Sequence, residues 1–122
     1  MNNAQWFKFE TSWWLSARVQ LRSLEEQAAL IGAMAAIWQA DGLFTGTDAE
    51  LAVEAAPAIC EAEGGTDHVV ALLHGLRDRG MLIQDVSGAW SSKQLTEQMA
   101  DMARTKLHRA AAARRRWAKE AG

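Results

Sequence analysis

The chain has 122 residues, 49% of them apolar and six of them Trp, which suffices for one packed core and is too hydrophobic for a disordered adaptor. Its formal net charge of −2 conceals a division: residues 1–103 carry six Lys and Arg against fourteen Asp and Glu, whereas residues 104–122 carry seven cations and a single carboxylate, Glu120. One cysteine, Cys60, excludes an internal disulfide, and no apolar run reaches the ~18 residues that a bilayer span needs.

Trp6, Phe7, Lys8 and Phe9 form an aromatic run that suits a strand, and Trp13 with Trp14 opens a segment too short to classify. Ser23 followed by Leu24, Glu25 and Glu26 is a capping box, so a helix starts there. Leu24, Ala28, Ile31, Ala35 and Trp38 make one stripe at helical spacing, with Leu30, Met34 and Ile37 broadening it into a central core helix. Asp41 and Gly42 end that helix, and Leu43 with Phe44 offers a brief extended segment. Thr47 and Glu50 make a second capping box for a short helix with Leu51 and Ala55 inward, closed or kinked by Pro57.

Cys60 to Gly65 reads as a loop, after which Thr66 is expected to cap a third helix from Asp67 to Arg79, with Val69, Val70, Leu72, Leu73 and Leu76 inside and Gly80 as its stop. Met81 to Gln84, Val86 to Gly88 and Ala89 to Ser91 then read as strand, turn, strand. From Gln94 the pattern is helical again, with Leu95, Met99, Met102 and Leu107 on one side. A helix continuing to about Lys119 spans close to ~40 Å, more than a compact body needs, so its far end is expected to leave the core.

The expected fold is mainly α with a small β-hairpin: a winged-helix-like domain of three helices plus wing over residues 1–93, then a C-terminal helix with a basic tail over 94–122. WFKF at Trp6 to Phe9, Trp14, SLEE at Ser23 to Glu26, the Trp38 to Leu43 stretch, the Gly80-Met81-Leu82 turn into a hairpin with Trp90, and a last helix running into Arg, Ala and Trp resemble the YdaU-like prophage proteins, a family of unknown function. Such proteins are similar to the N-terminal winged-helix parts of phage replication initiators and organisers. The resemblance implies a phage or prophage origin, and implies work on DNA by association alone.

The second and third helices are acidic where a base-reading helix needs Arg, Lys, Asn or Gln: Asp48, Glu50, Glu54, Glu61, Glu63 and Asp67 surround that region, and the third helix offers Asp67 and His68 at its start. Nucleic-acid contact is therefore assigned to the tail. Arg104, Lys106, Arg109, Arg114, Arg115, Arg116 and Lys119 supply phosphate binding with little sequence preference, and Trp117 can stack on an unpaired base. Trp6, Trp14, Trp38 and Trp90 are expected in the core. Trp13, opposite an inward Trp14 on an extended segment, is expected to face out as a protein contact.

The alternative partner class is protein. In that reading the chain is a protein-interaction module or phage effector: the acidic body with Trp13 docks a host or phage replication or transcription protein, and the final helix pairs with a partner helix or with a second copy as a homodimer. No metal, cofactor or catalytic activity is expected. Cys60, His68 and His74 lack metal-ligand spacing, Cys60 has no placed His partner, and no Gly-rich phosphate loop occurs. Without the basic start and apolar core of a signal peptide, and with one cysteine, the expected compartment is the cytoplasm, with no membrane partner.

Overall fold

The computed structural model describes Phe7 and residues 10–121. Its elements are α1 (Thr11–Trp14), α2 (Ala17–Gln20), α3 (Leu24–Gln39), α4 (Asp48–Ala55), α5 (Pro57–Cys60), α6 (Gly65–Asp78), strands β1 (Ile83–Gln84) and β2 (Trp90–Ser91), and α7 (Lys93–Ala121). The chain is thus mainly helical with one two-stranded antiparallel sheet and a long last helix. The strand expected at Trp6 to Phe9 lies outside the described residues except for Phe7, which is not in a strand and packs its ring 6.1 Å from that of Trp38.

Both capping boxes form. Ser23 Oγ accepts from Glu26 N–H at 3.1 Å while Glu26 accepts from Ser23 N–H at 3.2 Å, and Thr47 with Glu50 repeats the pair at the same distances. Each satisfies two otherwise orphaned donors, which fixes where α3 and α4 begin. The α3 terminus is also as expected: Asp41 and Gly42 both take positive φ, and Gly42 N–H reaches back to Ile37 O at 2.9 Å.

The buried face of α3 differs from the expected stripe. Ala29, Leu30, Ala33, Met34, Ala36, Ile37 and Trp38 are inside, whereas Leu24 is 84% exposed and Ala28 and Ala35 face solvent. Because α3 is apolar nearly all round, periodicity alone could not choose a face. Backbone approach chooses it: a Cβ on Gly32 would lie 1.9 Å from the Ala55 carbonyl oxygen, so α3 meets α4 at a point where only glycine fits. Leu51 and Ala52 of α4, Val69, Leu73 and Leu76 of α6, then Leu82, Trp90 and Leu95 close the core around that contact.

The segment between α4 and α6 differs from the expected one in two places. Pro57 closes α4 as expected, the break falling on Ala56 because a residue preceding proline is steered out of the helical region, but it also begins a further short helix, α5, which the sequence reading did not include. Thr66 is not the cap of α6. That helix starts at Gly65 after Gly64 in the left-handed region, because Gly65 lies under the Ile59 carbonyl, where a Cβ would come within 1.9 Å. The hairpin pairs Ile83 with Ser91 and Gln84 with Trp90, and Phe44 adds a one-residue bridge on the other side of Trp90, with N–H to O distances of 2.8 and 2.9 Å.

Trp13 and Trp14 sit on α1, not on an extended segment, so the alternation that sent Trp13 outward does not apply. Both are half-buried against the core with ring centroids 6.0 Å apart. Trp38 and Trp90 are fully buried, as expected of them.

Candidate nucleic-acid interface

Helix α7 is 29 residues long, about 43 Å at the usual rise. Its first turns belong to the body: Leu95 is fully buried, and Met99 packs on the core beside the turn at Gly42. Contact ends sooner than the sequence stripe implied. Met102 is already 46% exposed and Leu107 66%, so the apolar positions outlast the surface available to cover them.

Arg104, Lys106, Arg109, Arg114, Arg115, Arg116, Trp117 and Lys119 therefore all stand exposed on a helix that has left the body. At 3.6 residues per turn, Arg104, Arg115, Lys119, Arg116 and Arg109 fall within an arc of about 140°, with Lys106 and Arg114 outside it. Met99, Ala103, Leu107, Ala110 and Trp117 occupy an arc of roughly 80° on the other side. Of the cations, Arg104 is ion-paired with Asp101 one turn earlier. Trp117 is 73% exposed, on the side of the helix turned away from the cationic arc.

The acidic helices sort into two groups. Glu50, Glu54, Glu61, Glu63 and Asp67 are exposed. Asp48 instead points inward, with Oδ1 accepting from Trp90 Nε1–H and Gln84 Nε2–H at 2.9 Å each and Oδ2 lying 2.7 Å from His74 Nε2. His74 also stacks on Trp90, the rings inclined by only 8°. Partial burial pushes the Asp48 carboxyl up, but the hydrogen bonds from His74 and Trp90, the charge of His74 and the Gln84 bond outweigh it and hold the group below its ordinary 3.8. Asp48 thus ties α4, α6 and the hairpin together. His68, at the start of α6, lies 2.6 Å from Glu25 of α3. Neither histidine offers itself to a base edge.

Cys60 Sγ donates to Ala52 O at 3.4 Å, so Cys60, His68 and His74 belong to three separate contacts. Among the described residues no three His, Cys, Asp or Glu side chains gather as a metal site would need. No helix among them is long and apolar enough to cross a membrane.

A second cationic cluster carries no sequence motif. Arg18, Arg22 and Arg79 line one pocket together with Ala17, Leu21 and Met81. The spacing of four between Arg18 and Arg22 was the visible signal, whereas Arg79 arrives from α6, which no local pattern foretells. Comparisons with protein-family models, curated proteins and solved structures find no match to this chain.

Proposed function

We propose that the protein is a non-enzymatic, DNA-associated protein that binds the phosphate backbone through α7, with the compact helical body as its scaffold. The observation that carries this reading is the isolation of the charge: seven of the thirteen cations stand on one exposed helical segment, outside a body whose own surface is acidic. Such a segment attracts a polyanion without a rival site on α4 or α6, since Glu50, Glu54 and Asp67 repel phosphates there. A winged-helix arrangement is the finer reading of the body. The order α3, Phe44, α4, α6, hairpin, with Phe44 bridged to Trp90 as a third short strand, supports it. The resemblance read from the sequence adds a phage or prophage origin and a replication organiser or regulator role.

Because the five cations share one exposed face of a helix that has left the body, with no packing to aim their side chains at base edges, binding is backbone-directed and weakly sequence-specific. Fluorescence anisotropy with a labelled duplex, at a series of salt concentrations, tests this. With about five cations engaged, log affinity falls against log salt with a slope of about −4 to −5. The variant carrying Arg109→Gln, Arg115→Gln, Arg116→Gln and Lys119→Gln reduces that slope to about −1. Absence of binding at low salt, or binding indifferent to the four substitutions, overturns the proposal. A Trp117→Ala variant that loses affinity for oligo(dT) more than for duplex assigns Trp117 to base stacking.

A further inference from the structure

The body has six cations for fourteen carboxylates, so each Arg could have been given an acidic neighbour. Three of the six instead converge on a single pocket of about 370 Å³, where Arg18 and Arg22 come from the α2 region and Arg79 from the end of α6. Among the described residues only Arg79 is ion-paired there, with Glu26 at 2.7 Å. Arg18 gives a hydrogen bond to the Arg79 carbonyl oxygen at 2.7 Å, and neither Arg18 nor Arg22 has an ion-pair partner among the described residues. Arg22 goes further, since its Nε is closed off from solvent with no hydrogen-bond partner among the described residues. With its Nε closed off and no carboxylate beside it among the described residues, this half-buried guanidinium has only solvent to offset its charge, and an anion seated in the pocket supplies the missing compensation.

The rest of the lining says what else the ligand carries. Ala17, Leu21 and Met81 are apolar, and Leu21 is 76% exposed beside the arginines, with Leu24 uncovered close by in the chain. A bare phosphate or sulfate leaves that surface wet. A carboxylate next to an aliphatic side chain fills both halves, the planar acid against the guanidinium fork and the aliphatic group against Leu21 and Met81. We infer that the pocket formed by Arg18, Arg22, Arg79, Leu21 and Met81 is a docking site for an acidic peptide segment of a partner protein that places a carboxylate beside an aliphatic residue. The site is separate from the basic face of α7, and it stands or falls independently of the DNA reading.

The test uses the full chain and an acetylated, amidated pentapeptide of sequence Glu-Asp-Leu-Glu-Glu, followed through the arginine side-chain Nε–Hε signals in nitrogen-15 spectra and through Trp fluorescence. Saturable movement of the Arg18, Arg22 and Arg79 signals is expected, and Arg22→Gln weakens binding roughly tenfold, as the loss of one charge-assisted contact does. Glu26→Gln is the informative counterpart: Gln preserves the capping box while releasing Arg79 from its ion pair, so binding tightens several-fold, a gain that a damaged fold cannot imitate. The four α7 substitutions leave peptide binding unchanged. The inference is overturned if the arginine signals stay still up to millimolar peptide, or if Glu26→Gln does not strengthen binding. It is equally overturned if the α7 substitutions abolish the effect, or if oligo(dT) moves the Arg22 signal and the peptide does not.

Discussion

Asp48 is the side chain on which most elements depend, because one carboxylate receives bonds from α6 through His74, from β1 through Gln84 and from β2 through Trp90. Replacing it by Ala strands three polar partners, and a loss of about 2–3 kcal/mol is expected in chemical denaturation, in the range for hydrogen bonds to a charged group. The pH dependence has a definite sign. With a folded pKa below the unfolded 3.8, the carboxylate stabilises the fold fully above that value, and the contribution fades as pH falls through the folded pKa. The melting temperature of the wild type should therefore drop more steeply below about pH 4 than that of Asp48→Asn. Gly32 makes the opposite point about space. Gly→Ala within a helix ordinarily gains about 1 kcal/mol. At Gly32 the added methyl meets the Ala55 backbone, and a net loss of about 1–3 kcal/mol is expected from overpacking, with Gly75, where a Cβ meets nothing within 4 Å, as the control position that gains.

At the scale of elements, the caps decide the starts of α3 and α4, and Ser23→Ala and Thr47→Ala should each lower stability by about 1 kcal/mol in thermal melts. These starts were legible in the sequence because a capping box is local chemistry, readable from four residues. The hairpin was legible for the same reason: Asp85 Oδ1 accepts from Ser87 N–H at 2.9 Å and Ala89 N–H at 3.1 Å, and Gly88 takes positive φ, all within one turn. What the sequence hid was set at a distance. The phase of α3 and the start of α6 follow from two backbone approaches, Gly32 to Ala55 and Gly65 to Ile59, and no periodicity encodes which carbonyl a glycine will meet. For the candidate interface, the positions of the α7 cations were readable because a helix that touches nothing keeps its sequence geometry. The arrest of packing at Met102 was not, since Met and Leu at helical spacing look alike whether or not a surface waits for them. The convergence of Arg18, Arg22 and Arg79 needed the tertiary fold.

The whole molecule is a charge-separated rod and body. Six cations against fourteen carboxylates leave residues 1–103 near −8, and residues 104–122 stand near +6 on the exposed part of α7. From Arg104 to Lys119 the helix advances about 22 Å, while the screening length at physiological salt is about 8 Å, so the two ends neutralise each other only weakly within one molecule. A neighbouring molecule can do what the same molecule cannot, bringing its exposed Glu50, Glu54, Glu61, Glu63 and Asp67 against the cationic arc. Below the ionic strength at which the screening length exceeds the contact distance, head-to-tail attraction is expected to raise the weight-average mass, in sedimentation or light scattering, with no closed stoichiometry. Above about 0.15 M salt the effect should vanish, because exposed pairs of this kind contribute little once screened. A chain ending at Ala103 keeps Leu95 and Met99 and hence its core, so it should melt near the full-length temperature yet show no association at any salt. If α7 binds the phosphate backbone as proposed, duplex DNA, with a charge every ~1.7 Å, should compete for the same cationic arc far better than the scattered carboxylates of a second body. Adding duplex at low salt should therefore dissolve the association at about the concentration that saturates binding, which makes the two measurements a single check on where the positive end of this molecule is directed.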